Sequence, residues 1–201
     1  MILSMKVRLE PNNKQNSKLW QSAGTARFAY NWTLAKQEEN HKNGGKFINN
    51  NYLRKEFTKL KNTDEYKWLY GYSNNITKQA IKDACEAYIK FFKKEADKPK
   101  FKSKRKSKPK FYQDTEKIKF TETNVRIEKI GWVRLSEVGR IPTDVKYTNP
   151  RISYNGIHWY ISVGIEVKES SEELTGESIG IDLGLKDLAI RSNMDAHFKK
   201  H

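Results

Sequence analysis

SIGIDLGLKDLAI, residues 178–190, decides how the chain is read. Ile179, Ile181, Leu183 and Leu185 recur at period two, while Gly180, Asp182 and Gly184 fall on the opposite face. The alternation predicts a strand. It sets one carboxylate, Asp182, in a buried strand between two glycines. A buried carboxylate must be satisfied by a metal ion or by hydrogen-bond donors. Gly184 leaves room for a bulky anion to approach the backbone. On these residues alone, Asp182 is either a Mg²⁺ ligand or an ordinary strand aspartate that caps a turn.

Upstream lies a polar linker, KESSEELTGE (Lys168–Glu177), and before it the clearest hairpin in the chain. Ile152 and Tyr154 lead into Asn155-Gly156, a pair that tolerates positive φ. Ile157, Trp159, Ile161, Val163, Ile165 and Val167 then alternate without a break. Shorter strand signals precede it at Ile118/Phe120, Val125/Ile127 and Val133/Leu135. At the N-terminus, Leu3, Met5, Val7 and Leu9 alternate with polar residues until Pro11. That strand needs partners, and the next strand signals lie about a hundred residues on. The spacing predicts a small antiparallel β-barrel split by an insertion after its first strand.

The insertion reads as helical. Leu19, Ala23, Ala26, Tyr30 and Leu34 step by three or four, and Trp20, Phe28 and Trp32 widen the stripe. KQEENHKNGG is expected to unwind into a Gly44-Gly45 turn. Leu53, Phe57 and Leu60 mark a second helix. A third, capped by Asn74 or Asn75, carries Ile76, Ala80, Ala84, Tyr88 and Phe91. These aromatics read as core, and Cys85 beside them as a small buried hydrophobe.

Lysine and arginine total 39 against 24 acids, a net charge of +15. This balance points to a polyanionic partner, nucleic acid first and an anionic membrane surface second. No apolar run approaches the roughly 20 residues of a membrane helix, and the N-terminus lacks a signal-peptide core. A single cysteine excludes a disulfide framework and a CxxC zinc site. The expected location is cytoplasmic, with the nucleoid. The charge peaks at KPKFKSKRKSKPK, where Lys98, Lys100, Lys102, Lys104, Arg105, Lys106, Lys108 and Lys110 occur without an acid. The lysines suit phosphates, and Phe101 and Phe111 suit bases. A solvated linker that orders on its polyanion has the same composition.

Four stretches, in order, resemble the TnpB/OrfB family of transposon-encoded RNA-guided nucleases, relatives of type V CRISPR effectors. They are ARFAYNWTLA (Ala26–Ala35), ITKQAIKDACEAYIKFFK (Ile76–Lys93) running into PKFKSK (Pro99–Lys104), NGIHWYISVGIEV (Asn155–Val167) and GIDLGLKDLA (Gly180–Ala189). The resemblance covers the N-terminal half of such a protein. It implies an α+β architecture: a wedge β-barrel (residues 1–11 and 111–168), a helical recognition insert (12–97), a basic linker (98–110) and the first strands of an incomplete RNase H-like, or RuvC, domain (178–201).

It also implies a guide RNA, a target DNA, and a short flanking duplex motif read by the protein. The matching positions for that reading are Asn50, Arg54, Asn74, Lys78 and Thr121. Asp182 matches the first of three RuvC acids, which together hold two Mg²⁺ ions about 3.5–4 Å apart. The second and third acids and the zinc element of the family are not among these residues. Asp187, expected in a turn just past the strand, and Asp195, in an irregular tail, do not replace them. The expectation is therefore a truncated binder of guide RNA and DNA without autonomous cleavage, needing no cofactor to bind, and Mg²⁺ only in a completed site. Two alternatives stay open: half of a split endonuclease completed by a second chain, and a generic basic RNA-binding protein. IDLG also resembles the phosphate strand of actin-like ATPases. That motif belongs near an N-terminus ahead of a Gly-rich adenosine loop, which this sequence lacks.

Overall fold

β1 (Ile2–Glu10) needs hydrogen-bond partners on both edges, and it finds them far along the chain. In the computed structural model, which describes residues 1–167, 181–182, 187–191 and 198–199, two compact units are present, Met1–Val167 and Lys168–His201. In the first, Pro11 ends β1 and the chain leaves the sheet for three helices. α1 spans Asn13–Lys42, α2 Asn50–Lys61, and α3 Asn74–Phe92, with a 3₁₀ segment at Asp64–Gly71. The chain then returns through β2 (Lys110–Tyr112), β3 (Lys119–Phe120), β4 (Asn124–Ile127), β5 (Gly131–Leu135), β6 (Tyr147–Tyr154) and β7 (Trp159–Glu166).

These strands form one antiparallel sheet in the order β2-β6-β7-β1-β5-β4-β3. β1 pairs with β7 from Ile2↔Glu166 to Arg8↔Tyr160, and its last residues turn to β5 at Leu9↔Leu135. The N-terminal strand is thus internal, and the helices are an excursion from it. The sheet begins and ends on β2 and β3, which no ladder joins, so the expected barrel is an open sheet at the level of hydrogen bonding.

Helix periodicity holds where the apolar stripe predicts it. Leu19, Ala23, Ala26, Tyr30 and Leu34 of α1 are buried, as are Ile76, Ala80, Ala84 and Tyr88 of α3. Asn12 caps α1 through a capping box with Gln15. The polar run stays helical until just before the expected turn. α1 continues to Lys42, because residues without strong breakers stay helical until Asn43 and Gly44, where φ reaches +77°. α3 is capped by Ser73, whose hydroxyl accepts from the Asn75 amide; Asn74 and Asn75 are its first helical residues, not its cap. Cys85 is buried beside the stripe, and burial pushes its thiol up to about 11.

Two side-chain hydrogen bonds join α1 to strands of the sheet. The Trp159 indole donates to Asn16 Oδ1 at 3.0 Å, and Gln15 Nε2 donates to the Trp132 carbonyl at 2.6 Å. A third link joins the start of α3 to the β4–β5 turn. There the Ser73 hydroxyl donates to Glu128, which also accepts from Lys117 Nζ at 2.6 Å. The hairpin connection is two residues longer than the expected Asn155-Gly156 turn. The connection runs through four residues, Asn155–His158, and Asn155 Oδ1 accepts from the amides of Ile157 and His158. That turn throws Ile157 outward, 74% exposed, while Trp159, Ile161, Val163 and Ile165 are buried.

In the second unit, β8 (Ile181–Asp182), β9 (Asp187–Arg191) and β10 (Phe198–Lys199) form an antiparallel sheet in the order β10-β9-β8. Asp182 lies opposite Ile190. Asp187 opens β9 instead of lying in a turn, because the backbone re-enters a ladder there. The Lys168–Glu177 linker, Gly180, Gly184 and Asp195 fall outside the described residues.

The two faces of the hairpin differ in what a truncation costs. Ile161→Ala, at a fully buried position, is expected to lower the unfolding free energy by about 3 kcal/mol. Ile157→Ala is expected to change it by under about 0.5 kcal/mol. Denaturant melts of the two variants check the contrast.

Candidate nucleic-acid interface

The basic run leaves α3 and reaches the sheet edge at β2, and three anchors shape it on the way. At its start, Lys98 Nζ lies 3.3 Å from Glu38 of α1. At its middle, Asn31 of α1 binds the backbone of Lys102 twice: its amide donates to the carbonyl and its oxygen accepts from the N–H, both at 2.8 Å. At its end, Lys110 and Phe111 pair with Ser153 and Ile152 of β6. Between the last two anchors the chain turns back on itself, closed by Ser107 N–H to Ser103 O at 3.1 Å. The segment is a pinned loop and not a free tether.

Pinning divides the eight cations. Lys102 folds inward, its ammonium 3.3 Å from the centroid of the Tyr30 ring. Beneath it Arg151 of β6 holds Asp83 of α3 in a bidentate pair, at 2.8 and 3.3 Å, around a cavity of about 30 Å³. Burial would raise the Asp83 carboxyl, but hydrogen bonds from Arg151 and Gln79 outweigh it and hold it below the ordinary range. Burial, with Lys110 and Arg151 nearby, pushes the Lys102 ammonium down to about 8. Lys102 is therefore occupied within the fold.

The other six, Lys100, Lys104, Arg105, Lys106, Lys108 and Lys110, are exposed, and none makes an ion pair among the described residues. The segment's aromatics divide too. Phe101 is half exposed, whereas Phe111 is buried against Trp159 and is closed to a base.

The five positions matched to flanking-motif reading sit on three elements. Asn50 and Arg54 are one turn apart on α2; Asn74 and Lys78 are one turn apart on α3. These helices are in contact, and Lys61 at the end of α2 donates to Asn74 Oδ1 at 3.1 Å. Thr121 stands apart on the sheet, in the β3–β4 turn, its hydroxyl accepting from the Asn124 amide at 3.0 Å. Asp182 lies on β8 in the second unit. The Asp83–Arg151 pair and the Asn31 clamp escape the sequence reading, because their partners lie 68 and 71 positions away. No helix among the described residues is long and apolar enough to cross a membrane.

A helix-turn-helix domain model of the OrfB_IS605 type matches residues 1–46. Here those residues are β1, the single helix α1 and the turn after it. A protein of Escherichia coli (strain K12) named as an RNA-guided DNA endonuclease, InsQ, is 30% identical over 191 residues, 94% of this chain and 47% of that protein. A protein of Streptomyces pristinaespiralis, also named as an RNA-guided DNA endonuclease, is 24% identical over 195 residues, 94% of this chain and 48% of that one. The chain thus spans about half the length of the curated relatives it matches. Among solved structures, a cryo-EM complex of Cas12f1 with sgRNA and target DNA aligns at a TM-score of 0.40 and 13% identity, over 99% of this chain and 56% of that one.

The inward lysine has a pH signature. The unfolded chain binds a proton at Lys102 that the native chain has lost between about pH 8 and the ordinary lysine value. Burying the charge therefore costs stability below that window, and the cost disappears as pH rises through it. Lys102→Met removes the titration. Between about pH 7 and about pH 10, the stability difference between parent and Lys102→Met is expected to move in the parent's favour. Denaturant melts measure it, and a difference independent of pH would mean that the ammonium stays in water.

Proposed function

Because the chain is a member of the TnpB/OrfB family, we propose that these 201 residues bind a guide RNA and a target DNA and do not cleave DNA by themselves. One observation carries the reading: six cations that make no ion pair among the described residues lie on a loop pinned at both ends, running from the helices to the sheet edge. Cations on a held loop meet phosphates with little ordering cost, and phosphate contacts fix position without reading sequence. In a guided complex that is the protein's share, since base pairing reads the sequence.

In this reading the open sheet is the wedge, split between residues 1–11 and 111–168. The helices of residues 12–97 are the recognition insert, and residues 98–110 are the basic linker. Asn50, Arg54, Asn74, Lys78 and Thr121 read the short flanking duplex. Residues 178–201 are the start of the RuvC-like domain, with Asp182 as its first acid. Binding needs no cofactor. Mg²⁺ enters where the other two acids complete the site, and a second chain is one source of them. The protein acts in the cytoplasm, at the nucleoid.

The test compares two substitution sets against a structured RNA over a salt series. Replacing Lys100, Lys104, Arg105, Lys106, Lys108 and Lys110 with Gln is expected to flatten the log–log salt slope by about 0.7–0.9 for each phosphate no longer neutralised. Asp182→Ala is expected to leave both affinity and slope unchanged. An unaltered slope in the first set removes the loop from the interface. Mg²⁺-dependent DNA cleavage by the 201-residue chain with RNA alone, abolished by Asp182→Ala, overturns the non-cleaving part.

A further inference from the structure

Gly24 is out of place. It sits near the middle of the 30-residue α1, where glycine weakens a helix relative to alanine. Nothing among the described residues asks for it: a Cβ built there meets none of their atoms within 4 Å, and its backbone is not in the left-handed region. A glycine without an internal reason leaves the helix backbone open to something from outside.

Gly24 floors a recess of about 440 Å³, lined also by Arg27, Phe28, Asn31, Trp32, Tyr66 and Phe101. The rings below are held rigidly. Phe28 stacks on Tyr66 at 5.7 Å, and Trp32 meets the buried Phe57 edge-on at 5.0 Å. The ring above is free. Phe101 is 52% exposed and stacks on no aromatic ring among the described residues. It stays in place because the next residue, Lys102, is the one clamped by Asn31. No carboxylate lines the recess, and Arg27 makes no ion pair among the described residues. Lys100 and Lys104 flank Phe101 on the same loop, both exposed.

Aromatic faces, a cation with no ion pair among the described residues and a bare helix backbone match one chemistry, that of an unstacked nucleotide. Its base has a π-face for the rings, and its phosphates suit Arg27 and the flanking lysines. We propose that this recess is a stacking site for an unpaired nucleotide of single-stranded nucleic acid, with Phe101 as the stacking ring and Gly24 permitting close approach. The proposal rests on the nucleic-acid reading above and adds to it a site for a base, where the loop offers only phosphate contacts.

The test uses the full 201-residue chain and fluorescence anisotropy with an oligo-dT, an oligo-U and a mixed-sequence duplex. Gly24→Ala is expected to raise the Tm by about 2–4 °C, as a better helix former. The same variant is expected to bind the single strands about tenfold more weakly, with duplex affinity held within about twofold. Phe101→Tyr is expected to bind like the parent, and Phe101→Leu about tenfold more weakly, which separates stacking from apolar bulk. Losses confined to oligo-U identify RNA as the source of the nucleotide, and losses confined to oligo-dT identify a displaced DNA strand. Parent-like binding of single strands by Gly24→Ala overturns the site, as does an equal loss on duplex. If that happens while the six-fold Gln variant still loses affinity, only this inference falls. If the parent binds no strand at all, the functional reading falls with it.

Discussion

β1 carries a constraint that the whole first unit obeys. A strand with both edges inside a sheet must find partners for every outward N–H and C=O group, since an unpaired buried group costs as much as a lost hydrogen bond. β1 pairs with β7 along Ile2–Arg8 and with β5 at Leu9 and Glu10, each over a hundred residues away in sequence. The chain must therefore leave, build its helices and come back. Contacts of that sequence separation close late, because their loop entropy has to be overcome first. The helices are then held against the sheet by a few polar links at defined points: Asn16 to Trp159, Gln15 to Trp132, and Ser73 to Glu128.

The same return path handles the charge. A net +15 chain repels itself, and its most basic stretch has no acid of its own to offset it. The fold answers with backbone anchoring. Asn31 fixes the loop by its peptide groups, so the cations do not have to be neutralised to be held. One of them, Lys102, is sacrificed to the interior, over Tyr30 and above the Asp83–Arg151 pair. The others stay in water, where they cost little and remain available to phosphates. Lys102 and Lys104 are two residues apart and chemically identical, yet they face opposite environments.

Much of this was legible in the residues. The helix stripes of α1 and α3, the alternation of β1 and β7 and the split of the sheet around the helices all follow from periodicity, because a buried face leaves its repeat in the sequence. The misreadings share a cause. Ile157 has the right spacing to continue β7, but the Asn155 side chain caps its amide and turns it out. Phe111 has the composition of a base-stacking residue beside lysines, but it belongs to the first pairing of β2 and is buried. Ser73 outcompetes Asn74 and Asn75 as the cap of α3 because a hydroxyl one residue earlier reaches the Asn75 amide. In each case a single local hydrogen bond or pairing overrode a pattern.

The sequence by itself determined the α+β fold class, the positions of the main helices and strands, and the strongly basic character of the chain. These depend on periodicity, composition and the order of motifs, all of which are one-dimensional properties. Tertiary structure alone decided that the β-domain is an open sheet, that the basic run is a clamped loop, which of its lysines face solvent, and that Gly24 and Phe101 share a recess. Those outcomes depend on side chains such as Asn31 and Lys102, or Asp83 and Arg151, meeting across about seventy residues. Local propensity carries no record of such meetings, because neither partner's neighbours in sequence signal where the other will arrive.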